Sequence, residues 1–492
     1  MKILLVYPQY PDTFWSFKHA LKFISKKALL PPLGLLTIAP LLENCEKKLI
    51  DMNVSKLTDK DLLWADYVFI SAMITQRDSV NSVVQRCKTL GITTVGGGPL
   101  FTSLYEEFPD IDHFILDEGE VTVPMFFEDF KEGNLQKVYR SDIKPDITKS
   151  PVPQWDLIDF ENYSKMPVQY SRGCPFDCEF CNIVNLNGRI PRTKKPEQVI
   201  RELEALYHQG WKHSIFIVDD NFIGNKEKVK ELLRELAKWR NSKKCKTTFM
   251  TEVSLNLADD EELMILMRDA GFESVFIGLE TPSKEGLEEC GKFQNKNRDL
   301  VTSVKKIHQH GMAVSGGFIV GFDSDDPSIF LRQIDFIQKT GVVVAMISLL
   351  QALPGTKLYE RLLKENRIIS NASGNNTDFS LNFLPKIDKE ILINGYKNII
   401  LSVYSTKQYY ERVLTFLKDY NHYNSSSFSF KQIFPLLKSI LLLGIFQKGR
   451  RYYWKLFFIS LFKYPKSFEK AISLAVCHAH FKRIFPEIAK DS

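Results

Sequence analysis

Long hydrophobic runs are missing from this 492-residue chain. Nothing approaches the ~18 uninterrupted apolar residues of a membrane span; the best candidates, 440–446 and 456–462, are far shorter, so no spanning helix is expected. Cysteine is scarce too. Eight in a chain of this size are too few for a disulfide scaffold, yet three of them crowd between 174 and 181, which in a reducing compartment favours metal ligation. The opening MKILLVYPQYP has no small-residue cleavage site and reads as a first strand, so a cytoplasmic protein is expected. No repeat of solenoid length is present. With 44% hydrophobic and 25% charged residues the composition excludes disordered, collagen-like and coiled-coil classes.

The net charge of +6 is uneven. Residues 428–492 hold twelve Lys or Arg against three Asp or Glu, a surplus of +9, so the rest of the chain sums to −3. The length suggests about three domains, and the pattern divides accordingly. From 1 to 144, runs such as KILLVYP, ADYVFISAM and TTVGGGP alternate with helical stretches, predicting a Rossmann-like parallel sheet covered on both faces. Ligands of such sheets lie beyond the carboxyl ends of the strands, here 7–10, 71–76, 96–99 and 118–120. Pro145, Pro151, Pro153 and Pro167 mark 145–167 as a linker. Longer β/α repeats fill 168–365 and suit a partial (β/α)6 or full barrel, with chemistry at its strand ends. Beyond 366 the chain reads as a helical domain to 492, with a polar loop at 370–378 and a Ser-rich break at 424–429.

The segment YSRGCPFDCEFCNI places Cys174, Cys178 and Cys181 in a loop directly after a predicted strand. Thiolates suit iron and sulfide because all are soft, and a tight loop wraps three of them round one face of a cubane, leaving one iron open. Spacing alone also allows a zinc site completed by Cys245, Cys290 or His213; the aromatic Phe180 before the last cysteine counts against it.

CxxxCxxC with an aromatic before its third cysteine resembles the signature of the radical S-adenosylmethionine (SAM) superfamily. The resemblance implies a four-iron, four-sulfur (4Fe-4S) cluster whose open iron chelates SAM, with reductive cleavage to methionine and a deoxyadenosyl radical. It further implies SAM contacts from Phe180 and from successive strand ends: Asp219, Asp220 and Asn221, then Glu252 and Ser254, then Glu280. Three of these have plainer readings. Asn221 suits a helix N-cap, and the strand-end Glu252 and Glu280 each suit an ion pair with a basic neighbour.

A Rossmann-like domain ahead of such a barrel, with GGGP and DEGEVTVP at its strand ends, is similar to the cobalamin-binding class of the superfamily. The implied cobalamin contacts are Ser71, Met73, Gln76, Gly97, Gly98, Glu118, Gly119 and Glu120. No Asp-x-His-x-x-Gly motif is present, and neither His19 nor His113 stands in such a context, so a lower axial histidine is not expected. The alternative is a first domain that has lost its cofactor and serves as packing. Over nearly its whole length the chain resembles hopanoid methylases, which implies a cobalamin-dependent methyltransferase acting on an unactivated carbon of a small, hydrophobic molecule, supplied with electrons by a flavodoxin or ferredoxin. The rivals are a cobalamin-dependent radical SAM cyclase or oxidoreductase and a non-catalytic cobalamin-binding protein.

The tail mixes Lys and Arg with Trp, Tyr, Phe and Leu, as in GRRYYWKLFFISLFKYPK. It reads either as an interfacial helix docking the enzyme peripherally on a membrane or as a helical cap on the barrel. Nucleic acid is not an expected partner, because aliphatic runs interrupt the basic residues. His478 and His480 are expected at the surface.

Overall fold

A computed structural model describes residues 1–375, 377–423 and 430–485, apart from the side chains of 430–432; the Ser-rich break at 424–429 and the last seven tail residues lie outside it. The first sheet is built from apolar runs buried on both faces. In β1 (Lys2–Tyr7), Leu4 and Val6 enter one core and Ile3 and Leu5 the other, which is why the strand reads as a continuous hydrophobic run instead of an alternating one. With β2 (Glu46–Asp51), β3 (Tyr67–Ser71), β4 (Thr93–Gly97), β5 (His113–Ile115) and β6 (Val138–Tyr139) it forms a wholly parallel sheet in the order β2-β1-β3-β4-β5-β6. The chain reverses its direction of build between β1 and β3, and a crevice opens at the carboxyl ends there.

The proline-rich reading assigns Pro167 to a linker; the structure includes it in β7 (Met166–Val168). That strand pairs on one side only, with β10, so the missing N–H of proline costs no ladder bond. After it come a two-stranded antiparallel ribbon, β8 (Ser171–Arg172) with β9 (Arg192–Thr193), and then β10 (Ile215–Ile217), β11 (Phe249–Glu252), β12 (Phe272–Glu280), β13 (Ala313–Val320) and β14 (Ala345–Leu349). The six parallel strands run β14-β13-β12-β11-β10-β7, a partial barrel with β7 and β14 as edges. Along β12, Val275, Ile277 and Leu279 pack outward into the main core, so Phe276 and Gly278 face the lumen.

Residues 13–31 join those two edges. Trp15 donates to Met346 Sδ of β14 at 2.9 Å and meets Phe276 edge-on at 5.2 Å, while Ser164 and Lys165, just before β7, donate to the carbonyls of Ala28 and Leu29. The first domain thereby contributes part of the barrel's wall.

Helices Lys357–Lys364, Lys389–Tyr404, Thr406–Asp419, Arg450–Lys463 and Phe468–Ile484 follow, with Phe430–Ser439 running on as a wider helical turn over Ile440–Phe446. The expectation of surface histidines fails here. His478 and His480 are both fully buried on Phe468–Ile484. His478 Nε2 lies 3.0 Å from the Tyr404 carbonyl with its ring stacked on Tyr409, and His480 Nε2 lies 3.2 Å from the Phe14 carbonyl. Burial pushes the two imidazoles down to about 3 and about 4, so both are neutral. Two residues apart on a helix, they point to nearly opposite sides; this helix is covered on both, which a solvated basic face would not be. Among the described residues no helix is long and apolar enough to cross a membrane.

Candidate active site

The cysteine loop leaves the ribbon at the end of β8 through Gly173. Its φ of 101° belongs to the left-handed region, and a Cβ there would stand 2.8 Å from the Gly188 carbonyl, so only glycine fits. The loop is held from both sides. Cys174 N donates to the Gly188 carbonyl at 3.2 Å, Glu179 N to the Cys290 carbonyl at 3.0 Å, and Arg361 Nε to the Glu179 carboxylate at 2.6 Å. Phe180 packs against the apolar cluster of Ile319, Phe322, Leu350 and Leu358, pinning the loop's last turn. Burial raises the proton affinity of all three thiols; Cys181 reaches about 12, with Cys178 and Cys174 adding to the rise and Lys292 opposing it. The three sulfurs therefore share one partly desolvated space, where binding of a soft metal centre would displace the protons.

Among the described residues no group of three or more His, Cys, Asp or Glu is gathered closely enough for a single metal ion. The fourth ligands that zinc would need are engaged elsewhere. Cys290 is buried in the apolar cluster with its thiol 3.6 Å from the Leu287 carbonyl, Cys245 packs against the main core, and His213 meets Trp211 edge-on. Three soft donors from one short loop fit an iron–sulfur cluster with one open corner.

The strand ends divide into bracing groups and an open one. Asp219 is buried and accepts from Tyr170 N at 2.7 Å, Ser171 N at 2.8 Å and Ser171 Oγ at 2.6 Å, which ties β10 to the root of the cysteine loop. Burial still lifts its carboxyl to about 7 against those bonds. Asp220 accepts from Gly173 N and Asn187 Nδ2. Asn221 is not a helix cap: the cap of Lys226–Lys243 is Asn225, which accepts from Lys228 N. Asn221 instead donates to Ser254 Oγ at 3.3 Å and approaches Cys174 Sγ at 3.9 Å. Ser254 Oγ also donates to Asn256 Oδ1. Glu280, at φ 62°, forms a 2.5 Å ion pair with Lys292; burial alone would lower that ammonium's proton affinity, and Glu280 with Cys178 raises it above the ordinary value. Glu252 has no hydrogen-bonding partner for its carboxylate among the described residues, and burial, then the charges of Asp220 and Asp219, push it up to about 8.

On the first domain, a cavity of about 260 Å³ opens beyond β3, β4 and β5. Ser71, Gly97, Gly98, Glu118, Gly119 and Glu120 all line it. A Cβ on Gly98 would stand 2.6 Å from Ser71 Oγ and one on Gly119 2.8 Å from Ile38, so the glycines are what leave the space open. A cavity of that volume takes only part of a cofactor the size of cobalamin, and its place at the carboxyl ends of the strands suits a nucleotide-like arm held by loop and backbone contacts. Met73 and Gln76 lie outside this lining. Met73 is exposed, while buried Gln76 donates to the Pro8 carbonyl and accepts from Met73 N at 2.8 Å, bracing the loop after β3.

The same cavity is closed by the second domain through Gln169, Arg172 and Asn187. Arg172 donates to Glu118 at 2.6 Å, to Glu120 at 2.7 and 3.0 Å, and from Nε to Gln169 at 2.8 Å; Arg192 donates to Glu118 at 2.7 and 3.1 Å. Such bidentate, partly buried pairs are the strong kind. Glu118 and Glu120 thus serve as anchors for the stem of the cysteine loop, and the two candidate sites share a wall. Sequence reasoning missed Lys292, Arg192 and Asn187, which carry no motif; Arg172 sits inside YSRGC but gave no sign of its partners 52 and 54 residues earlier.

Residues 168–349 match the radical SAM superfamily, and residues 356–492 match a domain of unknown function, DUF4070. The chain is 41% identical to an uncharacterized methyltransferase of Synechocystis, over 98% of this chain and 91% of that one. It is 34% identical to a hopanoid C-2 methylase of Rhodopseudomonas palustris, covering 77% and 73%. Among solved structures, the cobalamin-dependent SAM radical enzyme OxsB with aqua-cobalamin bound shares the fold, with a TM-score of 0.64 at 15% identity, over 100% of this chain and 80% of that one.

Proposed function

The chain belongs to the cobalamin-binding radical SAM methyltransferases, and from that premise we propose that it methylates an unactivated carbon of a hydrophobic small molecule. The observation that carries this reading is the shared wall: Arg172, two residues before Cys174, closes the glycine-lined cavity of the first domain, so a methyl carrier and a radical source bound there would be neighbours.

In this reading Cys174, Cys178 and Cys181 hold the 4Fe-4S cluster, and the crevice at the carboxyl ends of β3 to β5 receives cobalamin, part of which the cavity takes. When bound, the cluster supplies the electron for homolytic cleavage of SAM, and cobalamin supplies a transferable methyl group. The protein's part is positioning. Asp219 and Asp220 fix the loop's stem, Lys292 sets a positive charge beside the thiolates, and Glu252 offers its free carboxylate to the cationic part of SAM. Exclusion of water and stray hydrogen donors falls to the lumen, whose inward residues include Phe276 and Met346 with Trp15 against them. Such a lining suits an isoprenoid or hopanoid-like substrate, in keeping with the Rhodopseudomonas palustris relative. A small reducing protein such as flavodoxin or ferredoxin would deliver the electron.

The tail supports peripheral membrane contact in one part only. Helix Phe468–Ile484 is buried against the barrel side, whereas the hairpin before it exposes large apolar side chains. We assign the membrane-facing role to that hairpin.

Anaerobically reconstituted protein tests the proposal. Iron, sulfide and cobalt should all be present, and S-adenosylhomocysteine should form together with 5′-deoxyadenosine; formation of the nucleoside alone would reject methyl transfer in favour of a cyclase or oxidoreductase.

A further inference from the structure

The turn between the two arms of that hairpin is built from cations. Lys448, Arg450 and Arg451, with Lys407 from the neighbouring helix, line an open cavity of about 640 Å³. No Asp or Glu lines it, and among the described residues none of the four cations is in an ion pair, although Glu411 stands one turn from Lys407. Unneutralised cations gathered in a concavity repel one another and leave a site of strongly positive potential.

The backbone adds to it. Two 14-residue helices, Thr406–Asp419 and Arg450–Lys463, begin at the cavity; Ser405 caps the first through Gln408 N, and in the second Arg450 N and Tyr452 N donate to the Gln447 and Gly449 carbonyls. Helix amino termini carry partial positive charge. Thr406 Oγ1 is buried without a hydrogen-bonding partner and lies 3.4 Å from where a Gly449 Cβ would be. Four cations and the positive ends of two helices around one space have the chemistry of an anion site.

What leads into the turn is apolar and exposed. Phe434, Leu441, Ile445 and Phe446 are exposed along one arm, Phe446 being 72% exposed; Phe458 and Phe462 stack one turn apart on the other, Phe462 being 78% exposed. Monomeric proteins rarely leave such a row in water. Aromatic and aliphatic side chains running up to a cluster of cations match the boundary of an anionic bilayer, where rings settle among headgroups and cations meet phosphate. A second copy of the chain would bring the same surplus of positive charge to the same place, and so fits worse.

We propose that the 447–452 turn binds the phosphate of an anionic phospholipid headgroup while the apolar row on either arm enters the acyl boundary. The proposal rests on the peripheral membrane contact proposed above and specifies its chemistry.

The test is flotation of the full chain, purified anaerobically, with vesicles of phosphatidylcholine alone or with about one third phosphatidylglycerol. At roughly tenfold or less per cation, Lys448→Gln with Arg450→Gln and Arg451→Gln should weaken binding to the anionic vesicles on the order of 100-fold. The charge-preserving set Lys448→Arg, Arg450→Lys and Arg451→Lys should restore most of it. Phe446→Ser with Phe462→Ser should weaken binding to both kinds of vesicle. Every variant should cleave SAM as the wild type does, which shows that it is folded. If the Gln variant floats with anionic vesicles as well as the wild type, the phosphate site is overturned while membrane contact stands. If the wild type floats with neither vesicle, both fall. If millimolar inorganic phosphate strips the wild type from vesicles, or the apolar row proves to hold a dimer in solution, the lipid assignment is overturned.

Discussion

Replacing Glu120 by Gln removes one negative charge from the network that joins the two domains while preserving the side chain's size. In the folded protein, burial works to raise the Glu120 proton affinity, but the paired Arg172 guanidinium and the Ser150 hydroxyl outweigh it and hold the carboxyl at about 2, against an ordinary 4.5. A gap of roughly 2.5 units corresponds to about 3 kcal/mol. That is an upper figure, because Arg172 keeps Glu118 and Gln can still accept one of its N–H groups; a loss of about 2 kcal/mol is expected. The sign follows from linkage. A carboxyl with a depressed folded pKa contributes fully above its unfolded value, and the contribution fades as pH falls from about 4.5 through about 2. Urea unfolding followed by tryptophan fluorescence is the assay, since Trp155 is buried in the run that joins the two sheets. Wild type should exceed Glu120→Gln by a constant margin between about pH 5 and 8, and the margin should close toward about pH 2. Equal urea midpoints at neutral pH, or a margin undiminished at about pH 2.5, would refute the claim that this ion pair carries the interface.

Three further expectations concern the sites themselves. Cys178→Ala should abolish SAM cleavage and remove most of the iron and sulfide, read by elemental analysis and electron paramagnetic resonance; a variant that retains a full cluster would show that another residue ligates it. Gly98→Val forces a branched side chain into a position with φ of 85°, where its Cβ meets Ser71 Oγ; cobalt content should fall more than tenfold while iron content is unchanged. For Glu252, held near 8, SAM affinity measured by calorimetry should rise as pH increases through about 8, because only the ionised carboxylate attracts the cationic ligand, and Glu252→Gln should flatten that profile.

How much of this could be read in advance depended on the sequence distance between partners. The cysteine loop stood out because its three cysteines and its aromatic lie within eight residues. The first sheet was legible because strands buried on both faces leave continuous apolar runs. Asp219 was found but its duty was not: the amides it holds are 48 and 49 residues earlier, across the barrel's first connection. The pair Asn221 and Asn225 shows a finer limit, since either asparagine suits a cap and only the actual start of the helix at Lys226 decides. Lys292 lay in a stretch without pattern. The histidines of the last helix misled because aromatic and basic residues suggest a solvated face, whereas their ring nitrogens find carbonyls from Tyr404 and from the far end of the chain.

Phe14 and Trp15 acquire a particular vulnerability from where they dock. Their partners include Met346, Tyr404, Phe481 and the backbone contact with His480, which is 466 residues downstream. At translation rates of roughly 5 to 20 residues per second, these rings wait on the order of half a minute to a minute and a half before the surface that covers them has been made. During that interval the nascent chain presents sticky aromatics with nothing native to bind, a natural foothold for a holding chaperone. Biosynthesis of this enzyme should therefore be least forgiving at its first few dozen residues, far from any reacting atom.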